Sequence, residues 1–202
     1  MILTLAPYVW LASNELPAKT MPELIALARS KPGRVSYAST GVGSAAHLGG
    51  ELLAAEASIS MLHVPFKNTG IAELIAGQVD LKLEPPASAM PQIKNGRLRA
   101  IAVSSPKRIA ALPDVPAVAE TLPGYEVMGW QGLWLPAGTP SAIVEKLRAA
   151  FAKALQLPDI RQRIIDVGAE PIGSTPEEAQ RTIDRELAIW TKLIHDRGIR
   201  AE

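Results

Sequence analysis

The chain has no cysteine. That excludes disulfides, thiolate nucleophiles and thiolate metal sites, and it leaves the compartment open. Lys and Arg number 21 against 20 Asp and Glu, a net charge of +1, and the basic residues are scattered. The electrostatic footprint of a nucleic-acid binder is missing, so no nucleic-acid partner is expected. No stretch is long and apolar enough to span a membrane. The three histidines show no pair at metal-ligand spacing and no His-Glu-x-x-His, so no metal is expected. No Gly-x-Ser-x-Gly elbow marks a nucleophile, and no catalytic residue is assigned. The opening Met1-Ile2-Leu3-Thr4-Leu5-Ala6-Pro7 has no positive n-region and no clear cleavage site. It reads as a strand from inside a domain, as if the chain started partway through a fold.

What is present is ample apolar material. Hydrophobic residues make up 48% of 202 positions, enough for a core in one large or two small domains. The most informative segment runs from Val35 to Leu48. The β-prone Val35-Ser36-Tyr37-Ala38 meets a loop, Ser39-Thr40-Gly41-Val42-Gly43, and an amphipathic helical pattern begins at Ser44. A strand that feeds a glycine loop and then a helix start brings free amides and the positive end of the helix dipole into one space. Gly41 and Gly43 let a ligand approach the backbone, and Ser39, Thr40 and Ser44 add hydroxyls. Such a place holds a carboxylate or phosphate. Equally, the segment reads as an ordinary β–α connection with Ser44 as N-cap. The loop lacks the Lys-Ser/Thr ending of a P-loop. Ala46 stands where a dinucleotide fingerprint needs its third glycine, so no cofactor is expected.

The rest alternates strands with helices. Leu3 to Leu11 reads as one strand. Thr20 and Glu23 form a capping box for a helix that Lys31-Pro32-Gly33 stops. The helix after Ser44 carries Leu48, Leu52 and Ala55 on one face. Strands are expected at Met61–Val64, Val79–Leu83, Leu98–Val103 and Gly129–Leu135. Helices are expected after Asn68-Thr69-Gly70, up to Lys94, after Thr139-Pro140, over Asp159–Val167, and from the capping box Thr175–Glu178 to about Arg197. Pro113, Pro116 and Pro123 punctuate a long connection between Pro106 and Glu126. This order predicts an α/β fold with a largely parallel sheet.

Each candidate has a plainer reading. His47, one turn into the helix, could reach a bound anion or be a half-buried surface histidine. His63 reads as structural and His195 as solvated. Asp80 and Glu84 share a strand face as a possible carboxylate pair, a ligand contact at a strand end, or exposed charges. Thr69 and Gly70 form a second polar turn before a helix, a clamp or an N-cap. Trp130 and Trp134 are core residues or line a cleft.

Several segments together resemble one family. They are Tyr37–Leu48, His63-Val64-Pro65-Phe66-Lys67-Asn68-Thr69-Gly70, Gly77-Gln78-Val79-Asp80, Ile93–Val103, Leu112-Pro113-Asp114-Val115-Pro116, Trp130-Gln131-Gly132-Leu133 and Pro136–Pro140. In this order, over essentially the whole chain, they resemble the substrate-binding proteins of tripartite tricarboxylate transporters, the Bug receptors. The resemblance implies a periplasmic-binding-protein-like (type II) α/β fold of two lobes. Residues 6–128 would be the second, ligand-binding lobe and 129–202 the C-terminal remainder of a first lobe left incomplete at its N-terminal side. That remainder should expose sheet edges and apolar surface. The implied function is periplasmic capture of a small carboxylate for membrane transporter subunits, without chemistry. The implied ligand-binding residues are Ser39, Thr40, Gly41, Gly43, Ser44, His47, Thr69, Gly70 and Glu84. Glu84-Pro85 stands where the family more often has Asp-Asn, and Asn68 where it usually has Gly. Two alternatives stay open: a hydrolase or isomerase using His47 with Asp80 or Glu84, and a fragment that binds nothing alone and persists as a homo-oligomer or interaction module.

Overall fold

The computed structural model describes residues 1–200. Along the chain run β1 (Ile2–Pro7), β2 (Val9–Ala12), α1 (Met21–Ser30), β3 (Ser36–Ser39), α2 (Ala45–Ala57), β4 (Leu62–Pro65) and α3 (Ile71–Ile75). They are followed by β5 (Leu81–Glu84), α4 (Pro86–Lys94), β6 (Arg99–Val103), β7 (Met128–Gly132), α5 (Ser141–Ala154), α6 (Pro158–Asp166), β8 (Glu170–Pro171) and α7 (Pro176–Arg197). The connection from Pro106 to Glu126 holds only a short 3-10 turn, Val118–Glu120.

The strand expected over Leu3–Leu11 is two strands in two sheets. β1 lies antiparallel between β7 and β8, whereas β2 lies in a five-stranded sheet ordered β4-β3-β5-β2-β6. The break falls after Pro7, which has no N–H to extend a ladder. The next amide, that of Tyr8, donates to Ser104 Oγ at 2.7 Å, and the Ser104 amide donates to the Tyr8 carbonyl at 2.8 Å. Ser104 Oγ in turn donates to the Val127 carbonyl. One buried serine therefore ties together both places where the chain passes between the sheets.

The five-stranded sheet is mixed rather than largely parallel. β3 runs parallel to β4 and β5, but β2 is antiparallel to both β5 and β6. A strand arriving from a neighbouring sheet is free of the crossover helix that makes neighbours parallel. Both faces of this sheet are covered, with side chains alternating at the two-residue strand period. Trp10, Tyr37, Leu81 and Leu83 pack with Leu24 of α1 and Leu53 of α2. Val9, Leu11 and Ala38 pack with Leu74 of α3 and Ala89 of α4. Each fully buried leucine contributes about 2 kcal/mol of apolar transfer. Trp10 Nε1 donates to Tyr125 Oη at 3.1 Å, and that hydroxyl donates to the Gly49 carbonyl at 3.2 Å, so the buried polar tips are paired.

α2 turns a different face inward from the one expected. Ala46, Gly49, Gly50, Leu53, Ala54 and Ala57 are buried, Leu48 and Leu52 only partly, and Ala55 is exposed. The small residues bring the helix close to the sheet: a Cβ at Gly50 would run into the Tyr37 ring. The Thr175–Glu178 capping box of α7 forms in both directions. At α1, Thr20 caps the Glu23 amide while Glu23 reaches back to the Lys19 amide instead of that of Thr20.

The second sheet and its helices are sparsely covered. α5 and α6 have no buried residue, and α7 has only Ala179 and Leu193. Ile143, Phe151, Ile165 and Leu187 are exposed, Leu187 by 59%. This is the exposed apolar surface anticipated for residues 129–202.

Candidate functional site

Four expected site residues, Thr40, Ser44, Thr69 and Glu84, line one cavity of about 240 Å³. Tyr8, Ala45, Ala46 and Lys82 complete its working surface. Three local structures build it. The strand β3 ends in the glycine loop, and Ser44 caps α2 by accepting the His47 amide at 3.3 Å while donating to the Gly41 carbonyl at 2.8 Å. The amides of Ala45 and Ala46 open the helix and have no protein acceptor among the described residues. The second wall is the Asn68-Thr69-Gly70 turn, held by the Gly70 amide donating to Asn68 Oδ1 at 2.9 Å, with Gly70 at φ +71°. The floor is the end of β5, where Lys82 and Glu84 sit two residues apart on one face.

The floor carries the charge. Lys82 Nζ lies 2.9 Å from Glu84 Oε2, with side-chain exposures of 3% and 9%. Ser88 Oγ donates to the other oxygen, Glu84 Oε1, at 2.6 Å. Burial first, and then the carboxylates of Glu186 and Glu84, push the Tyr8 phenol above its ordinary range, so it stays protonated. The cavity thus offers an ammonium, two free helix-start amides and the hydroxyls of Thr40 and Thr69. This suits a carboxylate, which accepts hydrogen bonds at both oxygens.

The other expected site residues are engaged elsewhere. Ser39 is fully buried and its Oγ accepts the Gly41 amide at 3.0 Å. The Gly43 amide donates to His47 Nδ1 at 3.1 Å. Two loop amides expected to be free for an anion are therefore satisfied within the protein. His47 is buried behind the loop, and its ring lies 4.1 Å from that of His63. Burial lowers the His47 pKa. Burial, together with the neighbouring His47, brings that of His63 down to about 4.

No nucleophile emerges from this cluster. Ser39 Oγ lies 2.6 Å from His63 Nε2 but also 3.1 Å from the Gly41 carbonyl. The direction of the Ser39–His63 bond follows the His63 tautomer, and no carboxylate among the described residues hydrogen-bonds either histidine to orient it as a base. The carboxylates do not join His47 either. Asp80 accepts from both the amide and the hydroxyl of Ser36 at 2.7 Å, and Glu84 pairs with Lys82. His195 is exposed on α7. Trp130 Nε1 donates to Glu186 Oε2 at 3.0 Å, with the Trp134 ring 5.3 Å away.

Tyr8 and Lys82 are the residues that sequence reasoning missed. Lys82 was detectable, since the alternation that puts Asp80 and Glu84 on one face also puts Lys82 between them. A larger hollow of about 630 Å³ lies elsewhere, between Leu5, Ile109, Met128 and Ile165, with Lys107, Arg108 and Arg161 on it. It contains none of the expected site residues, and its Arg108 is already bound to Glu120 through two nitrogens at 2.8 Å.

The comparisons agree with this architecture. The family model for the tripartite tricarboxylate transporter family receptor matches residues 1–199. A curated relative from Pseudomonas sp. strain P51, a UPF0065 protein of the tcbD-tcbE intergenic region, is 36% identical over 93% of this chain. The chain spans 57% of that relative's length. Among solved structures, an R. palustris protein with adipate superposes with a TM-score of 0.88 at 30% identity, covering 98% of this chain and 68% of its own. The periplasmic binding protein BugD gives 0.84 at 30%, covering 100% and 69%. MatC from Rhodopseudomonas palustris with bound malate gives 0.80 at 32%, covering 96% and 68%. No described helix is long and apolar enough to cross a membrane. The chain belongs to the tripartite tricarboxylate transporter receptors, the Bug proteins, a family of binding proteins whose α/β fold it shares over part of their length.

Proposed function

We propose that the chain is a periplasmic solute receptor that captures a small carboxylate and passes it to the membrane subunits of a tripartite tricarboxylate transporter. It performs no chemistry on the ligand. The observation that carries this reading is the cavity over β5, where a buried ammonium faces two free amides at the start of α2. The solved relatives with adipate and with malate hold small carboxylic acids, which supports a carboxylate as the ligand. Residues 6–128 serve as the ligand-holding lobe and 129–202 as the remainder of the first. Thr40, Ser44, Thr69 and Glu84 touch the ligand, while Ser39, Gly41, Gly43, His47 and Gly70 shape the walls. Closing the lobes would remove water from the ligand and set selectivity.

Thermal unfolding with a panel of mono-, di- and tricarboxylates, amino acids and aromatic acids tests this. An acid present at a hundred times its dissociation constant should stabilise the fold by about 2.7 kcal/mol. A cooperatively folding sample that no acid shifts would overturn the reading.

A second reading has its own support. α5 and α6 bury none of their residues, which favours a chain that associates through its apolar helices rather than one that binds solute. Size in solution by sedimentation separates the two: a monomer argues against association, a stable dimer for it.

A further inference from the structure

Lys82 and Glu84 are nearly fully buried, face the same cavity and neutralise each other. Neither is saturated. The Lys82 ammonium has three N–H groups, and Glu84 is its single carboxylate partner among the described residues. Glu84 Oε1 accepts from Ser88 and Oε2 faces Lys82, yet a carboxylate offers about four acceptor positions. The floor therefore presents spare donors and spare acceptors side by side, in a setting with little water.

A simple carboxylate would satisfy only half of this. Its oxygens would take the Lys82 and α2 amide donors, but they would lie against the Glu84 anion with nothing to offer it. Like charges brought together in a desolvated site repel strongly. A ligand with a hydroxyl or ammonium on the carbon next to its carboxylate satisfies both groups, the carboxylate on Lys82 and the donor on Glu84. We infer that the Lys82–Glu84 pair makes this a site for 2-hydroxy or 2-amino carboxylates, and that Glu84 selects against the same acid without the donor. This rests on the carboxylate-receptor reading and names its ligand class. A pocket built to pair a donor rejects the analogue lacking it more sharply than an apolar pocket rejects a missing methylene.

The test is titration calorimetry of the full chain with matched acids that differ only at that carbon. Three series cover the sizes: propionate, lactate and alanine; succinate, malate and aspartate; phenylacetate, mandelate and phenylglycine. In whichever series binds, the hydroxy or amino acid should bind about tenfold tighter than its parent or better. Equal affinity for the parent overturns the inference and leaves the carboxylate reading standing. Binding of none of the nine acids overturns the inference, and the carboxylate reading falls with it only when the wider panel of acids also leaves the unfolding curve unshifted. Glu84→Gln, checked by its melting curve, should bring the ratio towards one through weaker binding of the donor-bearing acid. Removing one member of a buried pair can unfold a protein. Ser88→Ala is therefore a second variant. It frees one acceptor position on Glu84 without touching the pair and should preserve or widen the ratio. A ratio that collapses in Ser88→Ala, or survives in folded Glu84→Gln, counts against the role of Glu84.

Discussion

The imidazoles of His47 and His63 lie 4.1 Å apart between ring centres, tilted by 31°, and the Tyr37 ring is stacked 5.1 Å from that of His63. Neither ring has room for a second charge beside the other. Both are lowered in the folded state, His63 to about 4, while an unfolded histidine titrates near 6.5. As pH falls below about 6.5 the unfolded chain takes up protons first, so the histidine contribution to stability is lost between about 6.5 and about 4, below which the lowered carboxylates of Glu51 and Glu120 take over the decline. Urea midpoints measured across that range should fall steadily, and His63→Gln should flatten the slope. A wild-type midpoint that stays level from pH 7 to 4.5 would contradict this.

Gly50 touches the Tyr37 ring across the α2–β3 contact, and Tyr37 is fully buried with its hydroxyl on Glu51 at 2.7 Å. The ring cannot swing away without breaking that bond. Gly50→Ala should therefore destabilise by about 1–3 kcal/mol, despite alanine's better helix propensity. Chemical denaturation reads this directly. A more stable variant would show that helix and sheet can separate cheaply.

Ser104→Ala removes the acceptor for the Tyr8 amide and the donor to the Val127 carbonyl at a position with no solvent access. The expected loss is about 1–3 kcal/mol, because a buried polar group is left unpaired. A change below about 0.5 kcal/mol would mean that water replaces the hydroxyl.

The apolar stripe of α7 follows from Ile183, Leu187, Trp190 and Ile194, spaced four, three and four residues apart. Leu187 is 59% exposed, so Leu187→Lys should leave the melting temperature within about 1 kcal/mol of stability of the parent. If the helices associate between copies, the same change should shift sedimentation towards monomer at matched concentration. An unchanged mixture of sizes would place any association on another surface.

Much of this fold was legible where local chemistry decides it. The Ser44 and Thr175 caps, the strand–loop–helix at Val35 and the turn at Gly70 stand close to where their residues predict. What failed was decided by tertiary partners. The Leu3–Leu11 run gives no sign that Val9 pairs with Glu84 and Val103 while Leu5 pairs with Trp130. The α2 face was misread because glycines count as poor helix residues until a tyrosine ring lies against them. At the site, Thr40, Ser44, Thr69 and Glu84 converge on one cavity. His47 does not line it, since its ring nitrogen accepts the Gly43 amide. A buried lysine reads as a surface charge unless its partner two residues along the strand is noticed.

The serine that holds Tyr8 and Val127 has a mechanical consequence. Both chain connections between the sheets are bonded to one side chain, so a rotation of one sheet against the other would have its pivot there. Rotation about such a point displaces distant atoms most and those at the axis least. Tyr8, bonded to the pivot and lining the cavity, would remain nearly stationary while the far rim sweeps across the opening. A ligand gripped beside Tyr8 would therefore be held throughout the swing, and the travel would fall on the parts of the molecule farthest from it.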